Sequence, residues 1–384
     1  MSRDALAPGS AGLHLVGGLS LLRPEEQAFE AMLEGWRNQQ LARNLAFSTI
    51  EGRHKAVKAF TRHADTFPWA WSAQMLDEWL GDLRALRDLK RSTLRGYSEA
   101  VRSFCAYLTD PAYGWPTECE MRFGTHPIQI AHEWNTAVHL QEAESDPAKR
   151  AFTRAELAAF FDHADDQVHR IRGHGRKGWL PCFRDATLFK TAYAFGLRRN
   201  ETRMLDLVDF SRNPHAPAFG DFGVCQVRHG KAKKGSPPKR RGVLTVGPRH
   251  GTGGMDWIVD VLEQWTEQVR PAFAHSDSPA LWPSERGPRI GFTQMNTRFA
   301  AYRDAVGLDP ALDFHSLRRS YVTHLIEDGW DARFVQEQVG HEHASTTALY
   351  TCVSSDFRIR TLLKALDQTT QAALNTTGKK EFRR

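Results

Sequence analysis

His315 and Arg318 stand three positions apart in His315-Ser316-Leu317-Arg318, and that spacing places both on one face of a helix. Two groups that can both carry positive charge repel each other there, a small cost that a shared anion offsets. Leu317, Tyr321 and Leu325 mark the opposite, apolar face. Downstream, Val335 and Val339 lead to Gly340, a residue suited to capping a helix C-terminus, and His341 follows at once. Ser345-Thr346-Thr347 then offers an N-cap for a short helix that carries Tyr350. Upstream, Tyr193 to Gly196 closes an apolar helix on a glycine; Arg198 comes next but one, and Glu201 three further on. Singly these are ordinary helix ends, surface arginines and a core tyrosine. Their order and spacing together are much harder to produce by chance, and the chemistry they suit is the holding of an anion.

A second basic feature lies between them. Residues 231–241, KAKKGSPPKRR, carry six cations and no acid around a Gly-Ser-Pro-Pro centre. Set between two strand-like runs, Gly223–His229 and Val243–Val246, this reads as a cationic hairpin loop, for which a phosphate backbone is the natural partner because neutralised phosphates release counterions. A solvated loop explains a single basic run equally well. A further cluster, Arg170, Arg172, Arg176 and Lys177, tilts the balance toward nucleic acid.

The elements that must position these residues follow from periodicity. Helices are expected from Pro24, with Phe29, Met32, Leu33 and Trp36 inward, then over 48–64, 72–83 and from Ser92 to about Thr109, where Asp110-Pro111 stops the chain. They make an N-terminal all-α unit of residues 24–140, preceded by a leader over 1–23. The polar stretch 141–150 is a linker. Thr153-Arg154-Ala155-Glu156 fits a capping box that opens the next helix. A mixed α/β domain over 151–355 follows, its helices at 181–197, 254–270, 291–306, 315–328 and 331–339 around the hairpin. Residues 165–183 look like a glycine-rich, cationic insertion. An amphipathic helix over 356–374 and a basic tail complete 356–384.

Composition sets outer bounds. The 384 residues carry 51 Lys plus Arg against 45 Asp plus Glu, a formal charge of +6 that permits a polyanionic partner without demanding one. Five cysteines without a CxxC pair exclude a disulfide framework and a cysteine-rich zinc module, and point to a reducing compartment. Leu13–Leu22 is too short to span a bilayer. A soluble, intracellular protein is expected.

The segments AFGLRRNETRMLDLVDF (194–210), HSLRRSYVTHLIEDG (315–329) and VQEQVGHEHASTTALYTCV (335–353) resemble the tyrosine recombinase, or phage integrase, family. The resemblance covers roughly residues 26–365 and is diagnostic in its C-terminal motifs. It implies a mainly α fold with a small β-sheet or hairpin: an N-terminal all-α, SAM-like core-binding domain and a mixed α/β catalytic domain. It implies the catalytic set Arg198, Lys231, His315, Arg318, His341 and Tyr350. Tyr350 would be the nucleophile, forming a 3′-phosphotyrosyl bond to DNA. A phenol has an unperturbed pKa of about 10, so His315 would assist its deprotonation. Arg198 and Arg318 would offer fork-shaped donors to the non-bridging oxygens, His341 a further hydrogen bond, and Lys231 a proton to the 5′ leaving oxygen. Glu201 reads as structural, orienting an arginine or bonding a backbone amide.

The family's chemistry stores the energy of the broken bond in the covalent link, so no cofactor, metal or nucleotide is expected. The sequence holds neither a GxxxxGK[ST] phosphate loop nor a carboxylate cluster of the two-magnesium kind. The implied function is a site-specific recombinase that binds specific sites on double-stranded DNA, acts as a tetramer through a Holliday junction, has no membrane partner and sits in the cytoplasm with the nucleoid. Two alternatives stand beside it: a relaxing or telomere-resolving enzyme with the same chemistry, and a catalytically inactive architectural DNA-binding protein. Three departures from the family pattern are Arg319 where histidine is frequent, a hairpin lengthened by Gly235 to Pro238 so that Lys233 or Lys234 could replace Lys231, and the segment 165–183. In the N-terminal unit Arg53, Lys55, Lys58, Arg91, Arg95 and Arg102 are candidate backbone contacts.

Overall fold

The computed structural model describes residues 23–137, 150–174, 178–230, 235–248 and 253–340. The chain divides into two compact units, one built mainly from residues up to Ser145 and the other mainly from those after it.

The first unit is helical. Helix α1 (Pro24–Ala42) starts on a proline at its first turn, with Glu25 and Glu26 at the positive end of its dipole, and buries Phe29, Met32, Leu33 and Trp36. Helices α2 (Phe47–Ala64), α3 (Ala73–Ala85) and α4 (Arg91–Leu108) follow within a few residues of the periodicity. Ser72 caps α3 by accepting from the Met75 amide. A fifth helix, α5 (Trp115–Phe123), runs between two left-handed glycines, Gly114 and Gly124. Trp36, Phe60, Phe104 and Trp115 are buried in one aromatic core, and the Trp115 indole donates to the Tyr107 hydroxyl at 3.0 Å.

In the second unit Thr153 and Glu156 form the expected capping box, the Thr153 hydroxyl accepting from the Glu156 amide at 3.1 Å and the Glu156 carboxylate from the Thr153 amide at 2.8 Å. The helix they start, α6 (Arg154–Gly173), continues through residues 165–173, and α7 (Trp179–Ala194) begins soon after. Much of the segment 165–183 is therefore helix. Arg172 lies over the Trp179 ring at 5.0 Å and Arg170 donates to Gln167, so these two cations finish α6 where its dipole favours positive charge.

Helix α7 is the centre of the unit, buried on nearly every side. Even its Arg184 and Asp185 are enclosed, with Asp185 bridging Arg184 and Arg298. After α8 (Arg199–Arg203), three strands, β1 (Phe210–Ser211), β2 (Val224–Val227) and β3 (Arg241–Leu244), form an antiparallel sheet in the order β1-β2-β3. Val224 pairs with Leu244 and Val227 with Arg241. The second hairpin strand thus starts two residues before the expected Val243, because the ladder includes Arg241. Helix α9 (Ile258–Gln264) passes into a π-helical turn over Trp265–Val269, in place of one continuous helix from 254. Helices α10 (Phe292–Ala305), α11 (Phe314–Glu327) and α12 (Ala332–Val339) complete the unit. Helices α6, α9, α10 and α11 all pack against α7. The mainly α fold with a small sheet is as expected. Among the described residues no helix is long and apolar enough to cross a membrane.

Candidate active site

Arg198 is placed by the end of α7. Gly196 takes a left-handed conformation (φ 56°), and a Cβ there would lie 2.5 Å from Cδ1 of the buried Tyr321 ring. Only glycine fits so close an approach at positive φ. The Leu197 side chain then plugs into the core, fully buried, and the chain delivers Arg198 as the N-cap of α8. Its backbone amide and its Nη1 both donate to the Glu201 carboxylate, at 2.8 and 2.7 Å. Glu201 therefore both orients an arginine and bonds an amide. Nε and Nη2 of Arg198 make no hydrogen bond among the described residues, and the side chain is 29% exposed, so part of the fork faces outward.

Helix α11 supplies His315 and Arg318. Asp313 caps it, accepting from the Ser316 amide at 3.0 Å. Arg318, one turn along, is buried to 1% side-chain exposure. Its Nη1 donates to the Gly196 carbonyl at 2.7 Å and its Nη2 to the Val339 carbonyl at 2.5 Å. A turn from Leu197 and the last turn of α12 are thereby tied to one guanidinium.

Glu201 is the common counter-ion. Burial alone would raise its carboxyl, but the paired bonds from Arg241 and the charges of Arg318 and Arg198 outweigh this and hold it at about 2. Arg241 grips it through Nη1 at 3.0 Å and Nη2 at 2.8 Å, and Arg318 lies 3.8 Å away. One buried carboxylate thus sits among three guanidinium groups, which leaves a local excess of positive charge.

His315 lies in that excess. Burial first, then Arg319 and Arg318, push its imidazole down to about 4, against a smaller opposing pull from Asp313. The positive end of α11, where His315 is the second helical residue, acts in the same sense. At neutral pH the ring is uncharged and can accept a proton. A cavity of about 490 Å³ opens beside it, lined by Arg199, Asn296, Phe299, Arg303, Asp313 and His315 among others. Arg319, in place of a frequent histidine, lies 3.6 Å from Asp313.

The hairpin is anchored at both sides of its neck. Arg228 bonds Asp209 and, at 2.6 Å, Asp206. The Gly230 amide donates to the Lys239 carbonyl at 3.2 Å, and a Cβ on Gly230 would lie 2.4 Å from that oxygen. The strands can close just before Lys231 only because residue 230 has no side chain.

Of the six residues expected from sequence, the structure brings Arg198, His315 and Arg318 into one site. Lys231, His341 and Tyr350 lie outside the described residues, as do Lys233, Lys234, Arg176, Lys177 and the stretch 356–374. Among the N-terminal cations, Arg53 donates to Gln40, Lys58 pairs with Glu30 and Arg102 donates to Thr136. Those three have intramolecular partners, while Lys55 and Arg91 are exposed. Cys105, Cys119, Cys182 and Cys225 are buried free thiols.

Sequence reasoning missed Arg241 and Gln338. Arg241 was counted among the six cations of a hairpin loop facing a phosphate backbone or solvent, yet Lys239 and Arg240 are exposed and Arg241 is not. The usable signal was the alternation of a strand, which puts residues 241 and 243 on the same face.

The sequence profile described as the Phage integrase family matches residues 164–356. A tyrosine recombinase XerC of Mycobacterium sp. (strain KMS) is 30% identical over 287 residues, covering 72% of this chain and 87% of the relative. Another XerC, of Herpetosiphon aurantiacus, is 26% identical over 84% of this chain and 93% of its own length. The XerC of Chromohalobacter salexigens is 31% identical over 48% of this chain and 54% of the relative. Among solved structures, the XerH site-specific recombinase bound to palindromic difH substrate, a post-cleavage complex, matches with a TM-score of 0.59 at 18% identity, over 88% of this chain and 83% of that one. A lambda integrase(75-356) dimer bound to a COC′ core site matches with a TM-score of 0.55 at 16% identity, over 85% and 96%. At these identities the structural likeness concerns the fold.

Proposed function

The chain belongs to the phage integrase family of tyrosine recombinases, and on that premise we propose that it is a site-specific DNA recombinase that cuts and rejoins duplex DNA through Tyr350. The phenolic oxygen attacks a backbone phosphorus, the bond to the 5′ oxygen breaks, and a 3′-phosphotyrosyl link and a free 5′-hydroxyl result. Atoms balance without a cofactor: the phenol proton passes to His315, and the leaving oxygen receives one from Lys231. In the reverse step a 5′-hydroxyl of another strand attacks the phosphotyrosine.

The observation that supports this reading most strongly is the cationic knot of Arg198, Arg241 and Arg318 around Glu201, beside a histidine held neutral. A phosphodiester in that site gathers negative charge on its non-bridging oxygens as it passes through the transition state. Arg198, whose Nε and Nη2 make no hydrogen bond among the described residues, donates to them, and Arg318 adds a buried charge. Fixed donors of this kind are worth about 10²–10³ in rate each. His341 adds a hydrogen bond to the same oxygens. Residues 24–140 act as a core-binding domain on duplex DNA, and four protomers meet in a synapse that passes through a Holliday junction in the cytoplasm, at the nucleoid.

The test is a covalent-capture experiment. A nicked duplex, recovered from a random-sequence pool by its binding to the protein, is incubated with the native chain and with Tyr350→Phe. A protein–DNA adduct that disappears in Tyr350→Phe is expected. No adduct from the native chain would mean a DNA-binding protein without strand transfer, and an adduct that survives Tyr350→Phe would name another nucleophile.

A further inference from the structure

We propose that Arg241 is a positioning residue that sets the hairpin, the arginine pair and the end of α12 in one register. The proposal rests on the strand-transfer reading and deepens it. Arg241 is the first residue of β3, on the return strand of the hairpin that carries Lys231. Its guanidinium, 13% exposed, makes three directed bonds: Nη1 and Nη2 to the Glu201 carboxylate at 3.0 and 2.8 Å, and Nε to the Gln338 carbonyl at 2.9 Å.

Gln338 completes the clamp from the other side. Its side-chain oxygen accepts from the Leu244 amide at 2.8 Å and its side-chain nitrogen donates to the Leu244 carbonyl at 3.3 Å. An amide side chain from α12 thus stands beside β3 where a neighbouring strand would bond. A Cβ on Gly340 would lie 2.9 Å from Arg241 Cδ, so the helix end and the arginine stem are in contact. The carbonyls of Gln338 and Val339 are taken by Arg241 and Arg318 respectively. Glu201, shared by Arg241, Arg198 and Arg318, closes the circuit.

The consequence is geometric. The hairpin that presents the leaving-group acid and the backbone that leads into His341 are both fixed to the residue that orients Arg198. A lysine keeps the charge at position 241 but cannot make the fork to Glu201 and the third bond at once. A misplacement of about 1 Å costs about 10²-fold in rate, and Arg241→Lys is expected to slow cleavage by about that factor through a misplaced acid.

The experiment compares leaving groups. Single-turnover cleavage of the selected nicked duplex is measured with a 5′-bridging oxygen and with a 5′-bridging sulfur, which departs without a proton. The proteins are the native chain, Arg241→Lys and, in case that variant folds poorly by circular dichroism, Gln338→Ala. The positioning role predicts a loss of about 10²-fold on the oxygen substrate for Arg241→Lys, a smaller loss for Gln338→Ala, and recovery of most of each loss on the sulfur substrate. Equal losses on both substrates, or none, would overturn it while leaving strand transfer standing. Absence of cleavage by the native chain on either substrate would overturn the strand-transfer reading itself, and this one with it.

Discussion

Arg318 donates through Nη1 to the main-chain oxygen of Gly196 at 2.7 Å, joining segments 122 positions apart. The bond exists because Gly196 turns the chain at positive φ directly over the Tyr321 ring, on the helix that carries Arg318. The two arginines of the site are therefore set by one glycine turn.

Gly196→Ala tests that turn. An alanine there meets both the left-handed conformation, which costs about 1–2 kcal/mol, and a ring atom 2.5 Å from its Cβ. A loss of at least about 2 kcal/mol in urea-unfolding free energy is expected. An unchanged midpoint would show that the close approach does not hold.

Glu201→Gln tests the shared counter-ion. The carboxyl sits at about 2 in the fold against an ordinary 4.5, a depressed value. It therefore contributes stability that is present above pH 4.5 and lost as the pH falls toward 2. At about 1.4 kcal/mol per unit this is worth about 3 kcal/mol. The amide is expected to lower stability at pH 7 by about that amount and to flatten the acid limb of the stability curve. A variant as stable as the native chain at pH 7 would mean the guanidinium groups do not depend on this charge.

The division between what the sequence disclosed and what it hid follows from the range of the interactions. Local signals sufficed for the helices: Pro24 at a first turn, the Thr153–Glu156 box and the inward stripe of α1 are all settled within one or two turns. His315 and Arg318 were legible because three-residue spacing is a helix property. Arg241 was not, because its partners Glu201 and Gln338 lie 40 and 97 positions away, and a run of cations reads as solvent-facing until a distant carboxylate is known. Within the segment 165–183, whose glycine and arginine content reads as an insertion, Val168 packs into the core and α6 runs on to Gly173, a tertiary contact that composition does not disclose.

His324, away from the site, adds to the pH dependence of the fold. Its Nδ1 faces the Tyr193 hydroxyl at 2.9 Å and its Nε2 the Phe152 carbonyl at 3.0 Å. The carbonyl requires a donor, so the neutral ring carries its proton on Nε2 and accepts from Tyr193 on Nδ1. Burial, with the charge of Arg154 second, pushes it down to about 4. A depressed histidine is neutral in the fold and protonates more readily when unfolded, so its contribution is complete above about pH 6.5 and is lost as the pH falls through 4. Urea midpoints should decline across that window, in which His315, lowered to about the same value, adds to the fall, while most of the Glu201 contribution is lost at lower pH. In His324→Gln the slope between pH 6.5 and 4 should shrink; an identical slope would assign it elsewhere.

The last prediction concerns Arg319, which acts on His315 through charge alone. Burial is the largest cause of the lowered His315 value of about 4, and Arg319 is the next, ahead of Arg318. As a general base the ring works only when neutral, so the acidic limb of the single-turnover cleavage profile should fall below the ordinary histidine value of about 6.5. A bound phosphodiester, being an anion, draws the limb upward from the DNA-free position but leaves the sign of the Arg319 effect unchanged. Arg319→Ala removes one cation from beside the ring, raises its proton affinity, and so should move the acidic limb to higher pH while changing the plateau rate little. Arg319→Lys, which keeps the charge, should leave the limb close to native. The measurement is the cleavage rate from pH 4.5 to 8 for the three proteins. If Arg319→Ala and native profiles superimpose, Arg319 does not tune the base; if the limb moves to lower pH, the ionisation seen in the profile does not belong to a histidine beside this cation.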